Sequence, residues 1–336
     1  MGFVKSNTNQ KEYFFQKTVE LTDLAIDPIR FKINENSDKQ TNFFNALNLV
    51  IPLNKNNKNF EIFIDNAYNI LPEYLNGNSQ LRLIVPLYQE YLTIICDFAN
   101  NILTYQDMLA DCSKRDFFIV SDNNNQQNLT NMLNIIKILF PQKKYSFYYL
   151  SKFPTKINQK AFYCSFCTEH SDNLITLSKK NNFFIIEFPE NHPNYRNLSI
   201  NYQNIYISKY DISFHGSNNI KRVIKSFRNS VNLWTYNKVP RFKIYALIKT
   251  LFENLDFIKK NIKNSTIKYV FEITAEKMII LTIVPLHSAV EQYYRELYIF
   301  TNNEDPLCIN NTVSALPCNP SVIFDNRYRL LNLYGT

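Results

Sequence analysis

Only 4 of the 336 residues are glycine, where average usage of about 7% would supply about 24. They are Gly2, Gly77, Gly216 and Gly335, and no two stand close together. Phosphate-cradling loops need clustered glycines, because a residue without Cβ takes positive φ freely and lets backbone N–H groups close on an anion. A G-x-G-x-x-G turn, a Walker loop, a kinase Gly-rich loop and a G-x-S-x-G elbow are therefore excluded. Histidine is equally scarce: His170, His192, His215 and His287 are the whole set. The sequence holds no H-E-x-x-H, no D-x-D and no helix face with paired carboxylates. Its longest apolar run, Met278 to Leu286, is too short to cross a bilayer. With no secretory leader in view, the chain reads as soluble and cytoplasmic.

What is present points to a large core. Hydrophobic residues make up 45% and aromatics 15%, with 27 Phe and 22 Tyr. Disorder needs the opposite balance. The 47 asparagines beside so few glycines mark an AT-rich coding bias, a matter of codons more than of chemistry. Net charge is +8. The densest basic stretch is Lys221, Arg222, Lys225 and Arg228 at helical spacing, followed by Lys238, Arg241 and Lys243. Such a face can meet phosphate, but without an RNA-binding signature or basic tail it reads more simply as the solvated side of a helix. Nucleic acid stays a minor alternative, with the stretch 221–243 as its site.

Patterning gives an α+β chain in two mixed α/β halves with short antiparallel strands. Residues 11–24 suggest a helix, 28–33 a half-buried strand, and 46–53 and 59–64 two more. Leu71-Pro72 and Asn76-Gly77-Asn78 mark a loop. Tyr88, Tyr91, Leu92, Ile95, Phe98, Ala99, Ile102 and Tyr105 recur at 3–4 spacing behind Pro86. That pattern predicts one long amphipathic helix over 86–105. In the second half, 117–120 reads as strand, 128–140 as helix, 172–180 as helix, 182–188 as strand and 205–214 as strand. Further on, 220–227 reads as helix, 241–245 as strand, 246–263 as helix and 267–284 as a hairpin. The alternation is too irregular to suggest a parallel sheet. The expected domains are 1–145 and 146–301, followed by an extended arm over 302–336 punctuated by Pro306, Pro317 and Pro320.

Six cysteines stand in a chain without a visible leader, so reduced thiols are expected. Cys164-x-x-Cys167-x-x-His170 is the one cluster. It supplies three of the four ligands that zinc wants, with His192 the nearest fourth. Cys164 also lies in an aromatic run that suits a packed strand, which is the simpler reading. Ser213-Phe214-His215-Gly216 brings hydroxyl and imidazole together, the only hint of a hydrolase or transferase pocket. Side chains two apart on a strand are held too rigidly to serve as nucleophile and base, and a turn cluster is the better account. No cofactor is implied.

The order of elements resembles the TssG family, baseplate wedge subunits of type VI secretion systems. Tyr13-Phe14-Phe15-Gln16 is similar to its opening helix, Ile29-Arg30-Phe31 to its first strand, and Leu71-Pro72 to its loop. Cys96-Asp97-Phe98 is similar to its helix core, although Asn100-Asn101 stand where the family has His-Arg. Leu174 to Ile185, and Trp234 with Arg241-Phe242-Lys243-Ile244, match later segments. The resemblance implies a non-catalytic assembly subunit, cytoplasmic and held at the inner membrane face, with TssF-like and TssK-like partners. It makes Leu71, Pro72, Trp234, Pro306, Pro317, Pro320 and Phe324 candidate partner contacts.

Overall fold

The computed structural model describes residues 27–33, 38–111, 115–121, 126–140, 147–168, 171–189, 192, 194, 206–213, 221–262 and 284–296. Its first strand, β1 (Ile29–Lys32), buries Ile29 and Phe31 and leaves Arg30 and Lys32 half-exposed, the two-residue period of a strand with one face on a core. Helix α1 (Asp38–Leu47) lays Phe43, Phe44 and Leu47 on that core. Strands β2 (Leu53–Lys55) and β3 (Ile62–Asn66) both run parallel to β1. Helix α2 (Ala67–Leu75) then leads into β4 (Leu81–Asp97).

The second half repeats this order after a short helix, α3 (Tyr105–Asp111). Strand β5 (Asp116–Val120), α4 (Gln126–Leu139), β6 (Phe147–Leu150) and β7 (Ala161–Cys167) follow, then α5 (Asp172–Ser178) and β8 (Phe183–Ile185). Here too the first strand of the unit pairs in parallel with the other two, β6 and β7. Strand β9 (Tyr206–Ser213) and β10 (Lys221–Tyr236) come next. Helices α6 (Arg241–Glu253), α7 (Leu255–Asn261) and α8 (Ser288–Glu296) complete the described fold.

All ten strands join in one mixed sheet of order β2-β1-β3-β10-β4-β7-β5-β6, with β8 on β4 and β9 on β10. Each half follows one rule: second strand, first, third, an antiparallel strand from elsewhere, then its own fourth. In the first half the inserted strand is β10, and in the second it is β4. Strand β4, 17 residues long, covers about 55 Å at about 3.3 Å per residue. It belongs to both halves, and β10 runs antiparallel beside it.

Mixed α and β content is therefore as the sequence suggests, but several elements are not. The helix expected over 86–105 is strand as far as Asp97. A strand buried on both faces is apolar at nearly every position, so a helical stripe can always be drawn through it. Ile84, Val85, Thr93, Ile94 and Ile95 carry the branched-chain signal that should decide such a case. The helix expected over 220–227 is the start of β10, and the basic spacing there is not a helix face. The strand expected over 241–245 is the first turn of α6, 46–47 end α1, and Leu71-Pro72 lie inside α2. Parallel pairing, set aside for lack of strict alternation, organises both halves. The expected opening helix at 11–24, nearly all of the hairpin at 267–284 and the arm 302–336 lie outside the described residues.

Candidate functional site

In sheets with parallel strands, ligands sit beyond the carboxyl ends, where the chain turns into helices. Here the carboxyl ends of the two halves converge. Asn66, at the end of β3, pairs with Val231, which pairs with Tyr88. Cys167, at the end of β7, pairs with Tyr91, which pairs with Arg228. The middle of β4 and β10, residues 88–91 and 228–231, is thus the seam between the halves. Next to it the ladder is irregular, with register shifts at Val231/Asn232 and Leu233/Trp234. Pro86 stands opposite Asn232 and has no N–H to donate.

A polar row crosses this seam. Glu90 on β4 is registered with Asn229 on β10, and the residue beyond Cys167 on its other side is Thr168. Strand alternation puts Glu90 on the face of Leu92, Thr168 on that of Phe166 and Asn229 on that of Phe227. Those three apolar residues share one core. All three polar groups are buried, at 8%, 2% and 0% exposure. Asn229 is fully engaged: its Oδ1 accepts from the Tyr68 N–H (3.3 Å), and its Nδ2 donates to Asn66 Oδ1 (2.8 Å). The Thr168 hydroxyl has no hydrogen-bond partner among the described residues. Glu90 faces Lys39 of α1, Oε1 to Nζ 3.6 Å, and that ammonium lies 6.0 Å from the Tyr88 ring centroid.

The first turn of α2 reaches across the row. Tyr68 stacks on Phe166 of β7, centroids 5.0 Å apart at 27°, and its hydroxyl accepts from Asn66 Nδ2 at 3.3 Å. Beside it, Asn131 Nδ2 of α4 donates to Asn69 Oδ1 of α2 (2.9 Å), and Asn69 Nδ2 donates to Asp65 Oδ1 (2.7 Å). A helix of one half is hydrogen-bonded to a helix of the other through buried amides.

Burial pushes the Asp65 carboxyl up to about 6, despite donors from Asn69 and Asn66 that favour the charged form. The repulsion of Glu73 adds to the rise, and Lys32 opposes it. The folded chain therefore holds this proton at a pH where the unfolded chain, near 3.9, has released it. Stability contributed here is present at low pH and lost as pH rises toward 6. The melting temperature of the wild-type chain is expected to fall between pH 4.5 and pH 7 by more than that of Asp65→Asn, measured by circular dichroism. Equal slopes would show that Asp65 does not titrate in this window.

The residues singled out in the sequence are scattered. Cys164 and Cys167 are both buried. Three apart on a strand, they point to opposite faces, Cys164 into the core of Phe117 and Cys167 into that of Leu174. They cannot share a metal, and among the described residues no cluster of His, Cys, Asp and Glu could hold one. Burial pushes the Cys164 thiol far up. His192 is buried against Tyr105, Phe188 and Phe227, its Nδ1 accepting from the Asn194 N–H. Desolvation lowers its pKa to about 4, so it is neutral. Ser213 ends β9, and His170 and His215 lie outside the described residues. Leu71 and Trp234 are buried in one core and Pro72 is inside α2. Pro306, Pro317, Pro320 and Phe324 lie outside the described residues. In the basic stretch, Lys225 and Arg228 sit on β10, and Lys243 is buried against Glu61 at 3.0 Å. Sequence reasoning missed Glu90, Asn229 and Thr168. The signal was there, since polar residues inside otherwise apolar strands demand buried partners.

Residues 173–297, a little over a third of the chain, match the model of the NMT1-like family. No curated protein matches the sequence. A solved structure whose title describes glutathione import in Gram-positive bacteria via GshT and the cystine importer TcyBC of Streptococcus mutans is similar. It has 9% identity and TM-score 0.41, covering 75% of this chain and 100% of that one. The arginine-, lysine-, histidine-binding protein ArtJ from Geobacillus stearothermophilus has 9% identity and TM-score 0.35, covering 70% and 95%. The spermidine/putrescine substrate-binding protein PotD from Streptococcus pneumoniae has 9% identity and TM-score 0.36, covering 92% and 99%. The family match overturns the resemblance to TssG. With it go the baseplate role, the TssF-like and TssK-like partners and the cytoplasmic placement at a membrane face. The hydrolase and nucleic-acid alternatives gain nothing from these comparisons. The three titles describe binding and import components.

Proposed function

We propose that this chain is a non-catalytic solute-binding protein that takes a small polar molecule between its two halves. The observation that carries this reading is the buried row Asn229–Glu90–Thr168, laid across the strands that join two equivalent β-α-β-β-α-β units. Polar side chains cost free energy in a core unless they are paired, and a core that only had to hold two halves together would fill this seam with apolar residues. The seam is also the natural axis of motion. Described strands cross it only at β4 and β10, and next to it their ladder is interrupted by two register shifts and a proline. Opening about these strands would expose the row, and a solute bound to both faces would draw the halves together. The match to the NMT1-like family over 173–297 and the printed roles of the structural neighbours agree in kind.

The test is a screen of the full chain against small amines, amino acids, carboxylates and sugars, read by thermal shift and small-angle scattering. A true ligand at about 100 times its Kd adds about 2.7 kcal/mol of stability and reduces the radius of gyration. If no member of any class alters either quantity, the reading fails.

A further inference from the structure

We propose that the outer edge of β6 takes up an extended, acidic segment of a partner protein as a further strand of the sheet. The site is separate from the seam and independent of the solute-binding reading. Strand β6 ends the sheet order and pairs with β5 alone. Among the described residues, the N–H and C=O groups of its other edge therefore meet no strand. Proteins usually blunt such edges with charge, proline or shortness. The strand at the opposite end of the order shows all three: β2 is three residues long, follows Pro52 and ends in exposed Lys55. Strand β6 carries neither charge nor proline. It reads Phe147-Tyr148-Tyr149-Leu150, and its two tyrosines are 46% and 48% exposed.

The two tyrosines lie on opposite faces of the sheet. Tyr148 is registered with Phe118, and Phe118 with Tyr163. The three rings form a stacked ladder, with centroids 5.1 Å apart at each step. Tyr149 is registered with Ile119, which belongs to the core on the other face. An added strand sets its alternate side chains beside both tyrosines and extends the ladder outward. A lipid surface lying along either face reaches only one of them.

Charge selects the chemistry of that strand. Residues 123–168 contain no Asp or Glu but six lysines, at 137, 143, 144, 152, 156 and 160. Lys152, Lys156 and Lys160 lie exposed in the connection from β6 to β7. The ion pairs of the described residues include none of these three. A second copy of the chain would set this basic stretch against itself, which Coulomb repulsion disfavours. An acidic segment is attracted to it, and salt screens the attraction.

The probe is the labelled nonapeptide EEVTYTVEE, titrated into the full chain and read by fluorescence anisotropy at low salt. Saturable one-to-one binding is expected, weakened at least fivefold by Tyr148→Ser, by Lys152→Glu and by added salt. The same peptide N-methylated at every residue keeps its charge but donates no backbone hydrogen bond, and it should not bind. Both substituted side chains are exposed, so circular dichroism should show the wild-type fold in each variant. Absence of saturable binding overturns the proposal, as does binding that the N-methylated peptide retains or that Lys152→Glu leaves unchanged. Two other results would give the edge to a different occupant and sink the proposal equally. One is adsorption to phosphatidylglycerol vesicles that Tyr148→Ser abolishes and the peptide does not displace. The other is a dimer that Tyr148→Ser dissociates and the peptide does not.

Discussion

Replacing Trp234 by alanine is expected to cost about 3–5 kcal/mol. Trp234 is the sole tryptophan, fully buried on β10 between Phe63 of β3 and Leu83 of β4. It packs with Ala67, Ile70 and Leu71 of α2 and with Val284. Truncation leaves a cavity lined by three strands and a helix, which cannot all move inward at once. It also removes the donor to the Asp65 carbonyl, Nε1 to O 3.0 Å, a part-buried hydrogen bond worth about 1 kcal/mol. Trp234→Phe separates the two effects: it keeps most of the volume, loses the donor, and should cost less than half as much. Both are measured by urea unfolding followed by circular dichroism, since the variants lack the indole. An alanine variant within 1 kcal/mol of wild type would mean that this core tolerates a void.

Lys243→Met is expected to cost about 3 kcal/mol, the low end for breaking a buried ion pair. Glu61 and Lys243 are both buried, with Oε1 and Nζ 3.0 Å apart. Arg30 keeps the loss from being larger. Its N–H donates to Glu61 Oε2 at 2.9 Å and its guanidinium stands 3.4 Å away, so the carboxylate retains one cation. Burial raises the Glu61 pKa, but hydrogen bonds from Arg30 and Lys243 outweigh it and hold the carboxyl below the usual range. A depressed carboxyl stabilises the fold above its unfolded value and loses that contribution as pH falls through the folded one. Lys243→Met should therefore begin its acid unfolding at higher pH than wild type. Trp234 fluorescence provides the signal. The double variant Glu61→Gln/Lys243→Met, with no buried charge to compensate, should recover most of the stability. Full additivity of the two single losses would show that the pair is not coupled.

Some of this was legible in the residues. Ile29–Lys32 alternates cleanly, because one face of β1 meets a core and the other does not. Helix α4 shows its period, ending where Pro141 follows Phe140. The buried Ala161–Cys167 was read as packed strand from its small and aromatic alternation. The strands at the seam were not legible, and the reason is common to them. Strand β4 has neighbours on both edges and cores on both faces, so its residues carry no period that separates strand from helix. The polar residues of β10 were counted as a helical face for want of any sign that Asn229 meets Glu90, 139 positions earlier in the chain.

By itself the sequence narrowed the chemistry open to this protein. Four scattered glycines leave none of the glycine-rich phosphate-loop motifs, since those motifs need glycines close together. It also determined that a large aromatic core would form, since burial follows composition. Only the tertiary structure decided that two halves repeat one strand order and meet along β4 and β10. It alone put a carboxylate, an amide and a hydroxyl in a row between them. Register and proximity between distant segments are set by how strands pair and cores close, and no local pattern encodes them.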